Sequence, residues 1–389
     1  MRLIPVWSQL AVIAFVGTLV TATPPRAATS PRARPAAGQS LELSVGLMPF
    51  YDDNVLEYSD NQIAEIESGL HPDRYSIRSR DDLVVQPELG LVYRVDQGGG
   101  RRRIVRLRGI GRFNDKNATA DDHALSAGWR ESFQGGRTFA ASYYTLPDYY
   151  LRQLYDEDAV VPFPGLSKYR RAGFALKIPS VEYAQRLSHA VRAALDYQYE
   201  RRNYNDDFNE RDSGTHQVEA ELALDRLRHR GRIAVLGGYR TSKARGSDGD
   251  SAGVTPDDVD VSYHGPIVGL SGRLGLGRGR HVRFDGDASY TLSGRHYTSD
   301  RPADKYHYLR QDWLHKFELG LGATIHRSLH ARGFYRRKDA NARLGTSAPP
   351  VSDSGSYRVN QVGLELDWVA TLWHRASAPS QGDADSSEP

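Results

Sequence analysis

Cysteine is absent from the 389-residue chain. Its absence excludes disulfides, thiolate-bound metals, a thiol nucleophile and a lipidated cysteine near the N-terminus. Long apolar runs are also lacking. Outside the N-terminus no stretch approaches the roughly 20 apolar residues of a membrane-spanning helix, and mean hydropathy is −0.58, so a helical membrane bundle is excluded. Neither sign of charge dominates: 51 Lys and Arg face 48 Asp and Glu, for a net charge of +3. A basic footprint for nucleic acid is therefore missing. None of the 13 His falls in an HExxH-type spacing, so no cofactor or catalytic metal is expected. What is plentiful is Gly, at 37, and Tyr, whose 22 copies double the 11 Phe. Both lean towards strands and turns, and a closed sheet passes the hydropathy test because only alternate residues need be apolar.

Met1 and Arg2 give a short positive start, Leu10 to Val20 (LAVIAFVGTLV) is an apolar run too short for a comfortable span, and Val20-Thr21-Ala22 supplies small residues for cleavage. This pattern predicts a secretory signal peptide over residues 1–22. Residues 23–38 (TPPRAATSPRARPAAG) are rich in Pro, Ala and Arg without apolar periodicity, which predicts a disordered leader. The polar end, residues 374–389, predicts a disordered tail.

Between them, residues 39–373 read as one unit with a period of two. Val282, Phe284, Gly286, Ala288, Tyr290 and Leu292 share one face, while Arg283, Asp285, Asp287, Ser289 and Thr291 share the other. A helix would mix these sets, whereas a strand separates them. Trp313 to Ile325 and Val191 to Tyr199 obey the same rule. Extending it places strands near Leu41 to Phe50, Leu83 to Val95, Ile104 to Asn114, His123 to Phe133, Thr138 to Leu146, Tyr169 to Arg186, Ala190 to Arg202, His216 to Arg226, Arg232 to Ser242, Val259 to Leu274, His281 to Ser293, Asp312 to Ile325, Leu329 to Lys338 and Tyr357 to Trp368. That is an even set of about 14, with 12 and 16 as the neighbouring counts. Tight turns such as Gln134-Gly135-Gly136 alternate with long polar connections such as Tyr51 to Asp82 and Pro147 to Lys168. Short turns at one end and long loops at the other are the mark of an up-and-down antiparallel barrel crossing a membrane.

The signal peptide, the two-residue alternation from Leu41 to Trp368 and the final strand Val362, Leu364, Leu366, Trp368 together resemble Gram-negative outer-membrane β-barrels of the porin-like kind. The motif Tyr51-Asp52-Asp53-Asn54 is similar to a phrase in uncharacterised outer-membrane proteins. The resemblance implies an all-β transmembrane barrel in the bacterial outer membrane, embedded in lipid and lipopolysaccharide and inserted by the barrel-assembly machinery. The resemblance is architectural; barrel size and charged inner faces lead to the expectation of a passive channel for small hydrophilic solutes or ions, with a non-conducting barrel in surface assembly, export or adhesion as the alternative.

If the apolar faces meet lipid, the opposite faces line a pore. The lining residues expected there are Arg106, Arg108, Arg112, Asp196, Glu200, Glu219, Glu221, Asp225, Arg283, Asp285, Asp287, Arg332 and Arg336. The third strand supplies only Arg and the eighth only acids, so two readings stand: opposed walls with a transverse field, or charges paired with adjacent strands. The connection Pro147 to Lys168 is unusually apolar, and Tyr149, Tyr150, Tyr155 and Phe163 are its candidates for an inward constriction, for packing on other loops, or for a partner contact. Asn61 to Gly69 (NQIAEIESG) has a cap and Glu spacing suited to a short helix.

Catalytic motifs are weak. Acidic pairs recur at Asp52 and Asp53, Asp81 and Asp82, and Asp121 and Asp122, either as solvated loop residues or as oxygen ligands for hard cations. A rim hydrolase would use His123 with Asp81 or Asp122, but Ser126 lies three residues along a strand from His123 and so on the opposite face. The Gly-rich GRLGLGRG at 272–279 lacks the Lys-Ser/Thr ending of a phosphate loop. No enzymatic function is expected.

Overall fold

A computed structural model describes residues 38–156, 167–227, 231–246, 260–278, 282–299, 304, 307–326, 328–344 and 355–376. The expected signal peptide, most of the expected leader and tail, and Phe163 lie outside them. Strands run over Gly38–Asp52 (β1), Asp82–Asp96 (β2), Arg102–Asn114 (β3), Asp122–Ser132 (β4), Arg137–Tyr155 (β5), Tyr169–Arg186 (β6) and Val191–Tyr204 (β7). They continue over Ser213–Leu227 (β8), Gly231–Ala244 (β9), Tyr263–Arg278 (β10), Arg283–Tyr297 (β11), Gln311–His326 (β12), Leu329–Arg343 (β13) and Tyr357–Ala376 (β14). Among the described residues one α-helix, α1, spans Asp60–Glu67.

Each strand pairs antiparallel with its neighbours in sequence, and β1 pairs with β14 to close the barrel. Closure matters because an unpaired strand edge in hydrocarbon would leave every second amide without a partner, at several kcal/mol each. The two-residue alternation then sorts side chains. Val45, Leu89, Leu107, Leu125, Leu195, Leu222, Val235, Leu270, Leu319 and Leu364 all stand outward and exposed, and Leu321 reaches 63% exposure. So large an apolar belt is stable only against lipid. Aromatic residues border it: Trp129 and Phe139 pack at 5.7 Å near the short turns, and Phe317 and Tyr335 at 6.4 Å towards the long connections. The molecule is an all-β, up-and-down antiparallel barrel of the outer-membrane type.

The tight turns rely on local backbone freedom where they are sharpest. Gly135 and Gly136 adopt φ of 82° and 78°, a region closed to most side chains, and deliver Phe133 N–H to the Arg137 carbonyl at 2.9 Å.

Both ends of the barrel and the end of the fifth strand differ from the sequence reading. The barrel extends from Gly38 to Ala376, which are register partners, so the last residue of the expected leader and the first residues of the expected tail are strand. The fifth strand continues nine residues past Leu146, to Tyr155. Pro147 and Asp148 are absorbed by a register shift between Leu146 and Tyr149, and the strand resumes beyond them.

Candidate functional site

Every expected lining residue stands on the inner face, opposite in parity to the lipid-exposed set. The structure then decides between the two readings of their charge. Arg332 is a hub: its guanidinium bonds Asp287 at 2.6 Å, Glu318 at 2.6 Å and Glu365 at 3.4 Å, and Arg336 takes the other Glu318 oxygen at 2.9 Å. Arg108 bonds Glu88 on the adjacent strand, and Arg112 lies 3.6 Å from Asp52. Glu221 and Asp225 share Arg232, and Asp285 takes Arg273 at 2.5 Å. The walls of single sign expected from the third and eighth strands are therefore largely neutralised, mostly by adjacent strands and for Arg112 by Asp52 two strands away, which is the cheaper arrangement for charges in a confined space. Asp196 and Glu219 are an exception, facing each other directly across β7 and β8. Glu200 bonds Arg202 at 2.7 Å.

A strip of cations on β9 to β13 is less compensated. Arg240 and Arg295 flank the ring of Tyr263 at 5.5 and 5.2 Å, inside the attractive range for a cation over an aromatic face. Their buried Nε atoms have no hydrogen-bond partner among the described residues, an arrangement that calls for an acceptor. Lys316 and Lys338 are direct register partners on β12 and β13.

The outer mouth above this strip is crossed by the connection from β1 to β2. Its start is pinned. Asp52 accepts from Asn54 N–H at 3.0 Å, Asn54 accepts from Tyr58 N–H at 2.9 Å, and its Nδ2 donates to the Tyr58 and Arg358 carbonyls at 2.7 and 3.0 Å. Asp53 accepts from Asn360 N–H at 2.7 Å. Ser59 caps α1, accepting from Gln62 N–H at 3.3 Å while Gln62 accepts from Ser59 N–H at 3.1 Å, a reciprocal capping box. Val55, Leu56, Tyr58, Ile63 and Tyr75 then form a buried cluster with Ala120 and Tyr150 of β5, and Arg152 of β5 covers the Tyr58 ring at 5.4 Å.

Between these anchors Glu57 turns the opposite way. It sits at φ 57° and bonds Lys338 on β13 and Tyr357 on β14. Strand β13 lies six positions round the ring from β5, so consecutive residues Glu57 and Tyr58 tie the segment to widely separated walls. Burial opposes ionisation of Glu57, but the Lys338 charge and hydrogen bond outweigh it and hold the carboxyl at about 2. Farther along, the Ser79 hydroxyl, with help from Lys116 and Tyr51, holds Asp81 at about 2.

The segment entering the mouth is thus 53–81; of the connection read as 147–168, residues 147–155 are strand, and Phe163 lies outside the described residues. Tyr149, Tyr150 and Tyr155 belong to strand β5; Tyr149 packs on Phe174 at 5.1 Å and Tyr150 receives the inserted segment. The acidic pairs have a structural use. Asp82 accepts from Lys116 N–H at 2.9 Å and Asn117 N–H at 2.8 Å, and Asp121 from Asn114 N–H at 2.7 Å. His123 faces outward and Asp122 inward on β4, so this pair does not share a face. The helix expected at Asn61 to Gly69 is α1, within two residues. Glu57, Lys316 and Lys338 escaped the sequence reading, because no spacing marks one Glu in a polar loop as the partner of a strand far away.

No protein-family model and no curated protein sequence matches the chain. Among solved structures, a bacterial polysaccharide outer membrane secretin is similar at TM-score 0.41 and 9% identity, covering 85% of this chain and 98% of its own. An anion-selective porin from Comamonas acidovorans is similar at TM-score 0.40 and 11% identity, covering 85% and 99%. The OprD protein of Pseudomonas aeruginosa gives 0.37 and 11%, covering 86% and 94%. The fold assignment rests on the chain's own strand pairing.

Proposed function

We propose that this barrel is a passive channel for small hydrophilic solutes or ions, and that its outer mouth favours anions. The observation that carries this reading is the strip of Arg240, Arg295, Lys316 and Lys338 on the inner wall, facing a segment whose Glu57 meets only part of its charge. In a confined pore fixed cations raise the local concentration of anions and lower the barrier to their entry. The paired charges deeper in the lumen keep the remaining wall wet without adding net field.

Single-channel recording of the refolded protein in a planar bilayer, under a salt gradient, tests the reading. Discrete steps with an anion-selective reversal potential are expected, and Arg240→Glu with Arg295→Glu should move that potential towards cations. A correctly folded, heat-modifiable barrel that stays silent would overturn it.

A further inference from the structure

The outward face carries a second ordered set of cations. Lys177 on β6 is the register partner of Arg201 on β7. Arg201 is opposite Gly214 on β8, and Gly214 is opposite Lys243 on β9. These three charges therefore lie in one register row over four adjacent strands, a span of about 14 Å at ordinary strand spacing. All three side chains are exposed. Neither lysine makes an ion pair or hydrogen bond among the described residues, and Arg201 bonds only Asn203, at 2.8 Å. Asp148, a carboxylate on β5, is already taken by Arg171 at 2.8 Å.

The gap in the row is filled. A Cβ on Gly214 would lie 2.8 Å from the Tyr199 hydroxyl, so the phenol leans between Arg201 and Lys243. The next outward row towards the membrane centre holds Tyr199 and His216, with rings 4.9 Å apart, and then His264 and His296 at 5.8 Å. Below these the wall turns apolar. Lysine or arginine facing hydrocarbon is far more costly at the midplane than near the interface, so a stable barrel holds this row at headgroup depth. At that depth on the side of the long connections, unpaired cations meet lipid phosphate.

We propose that Lys177, Arg201 and Lys243, with Tyr199 and His216 beneath them, form a docking surface for the phosphate groups of a phosphorylated glycolipid of the outer leaflet. The cations neutralise the phosphates, and the phenol and imidazole donate hydrogen bonds at the sugar level. The surface lies on the outer wall and does not depend on whether the lumen conducts.

The test uses the full chain refolded in neutral detergent and titrated with diphosphoryl lipid A or with the same lipid after enzymatic removal of both phosphates, bound lipid being counted by native mass spectrometry. The phosphorylated form is expected to bind more tightly. Neutralising all three cations (K177Q, R201Q, K243Q) should weaken it on the order of a hundredfold, from about fivefold per cation. Lys243→Gln alone, at the outer edge, gives about fivefold should the triple variant fail the heat-modifiability check. Arg358→Gln, which leaves Asp339 paired to Arg337, should change binding less than twofold. Equal binding of both lipids, or no loss in the variants, would overturn the proposal. So would displacement of the lipid by millimolar inorganic phosphate, which would assign the row to free anions instead.

Discussion

Arg332 on β13 reaches Asp287 on β11 by lying across the strand between them, over Gly320 of β12. A Cβ at Gly320 would stand 2.4 Å from the Arg332 guanidinium, while Asp287 is the direct register partner of Gly320. The missing side chain is what lets one arginine serve carboxylates on several strands.

Gly320→Ala should therefore destabilise the barrel by about 1 to 3 kcal/mol, the usual cost of forcing atoms into a filled site. Gly333→Ala, where an added Cβ meets nothing within 4 Å, should stay within about 0.5 kcal/mol. Urea unfolding in lipid vesicles, followed by tryptophan fluorescence, separates the two.

Leu321, the next residue along, points into lipid. Leu321→Arg should cost about 2 to 4 kcal/mol if it sits near the midplane. The same unfolding assay checks this, and a loss below 1 kcal/mol would mean that the assignment of faces on β12 is wrong.

Asn54→Ala should loosen the inserted segment. The buried side chain makes three hydrogen bonds to backbone groups, and leaving such groups without partners costs about 1 to 3 kcal/mol. Trypsin should cut at Arg74, Arg78 or Arg80 at least several times faster than in the parent protein, with the barrel itself still resistant.

The segment's attachment should also depend on pH. Glu57 and Asp81 both have folded values near 2, below ordinary values of 4.5 and 3.8. A depressed carboxyl favours the folded placement above its ordinary value and loses that contribution as pH falls through the folded one. Conductance should be steady from pH 7 to about 5 and change in noise and amplitude only below about pH 4. Glu57→Gln should show the low-pH behaviour at pH 7, and an unchanged trace in that variant would contradict the attachment.

How much of this was legible in the sequence depends on range. Strand faces follow from a period of two, so Leu321 and Arg332 could be placed by reading alternate residues. The far end of β5 could not, because Pro147-Asp148 reads locally as a break and only pairing with β6 shows the strand resuming. Charge pairing between neighbouring strands is not legible at this range, since register errors of one residue reverse a face. The attachment of Glu57 to Lys338 lies beyond reading altogether. Its partners are 281 residues apart, and neither belongs to a pattern.

Closure of β1 on β14 also sets an order of events. Every other strand pair joins consecutive segments and needs only a local turn or loop, whereas this one joins Gly38 to Ala376. In a featureless chain that contact would cost about 5 kcal/mol of loop entropy. Once the intervening hairpins have zipped and curled, the two edges already face each other and the cost has largely been met. By this argument the seam is the last join to form, and a chain cut before β14 would carry two raw edges into the bilayer.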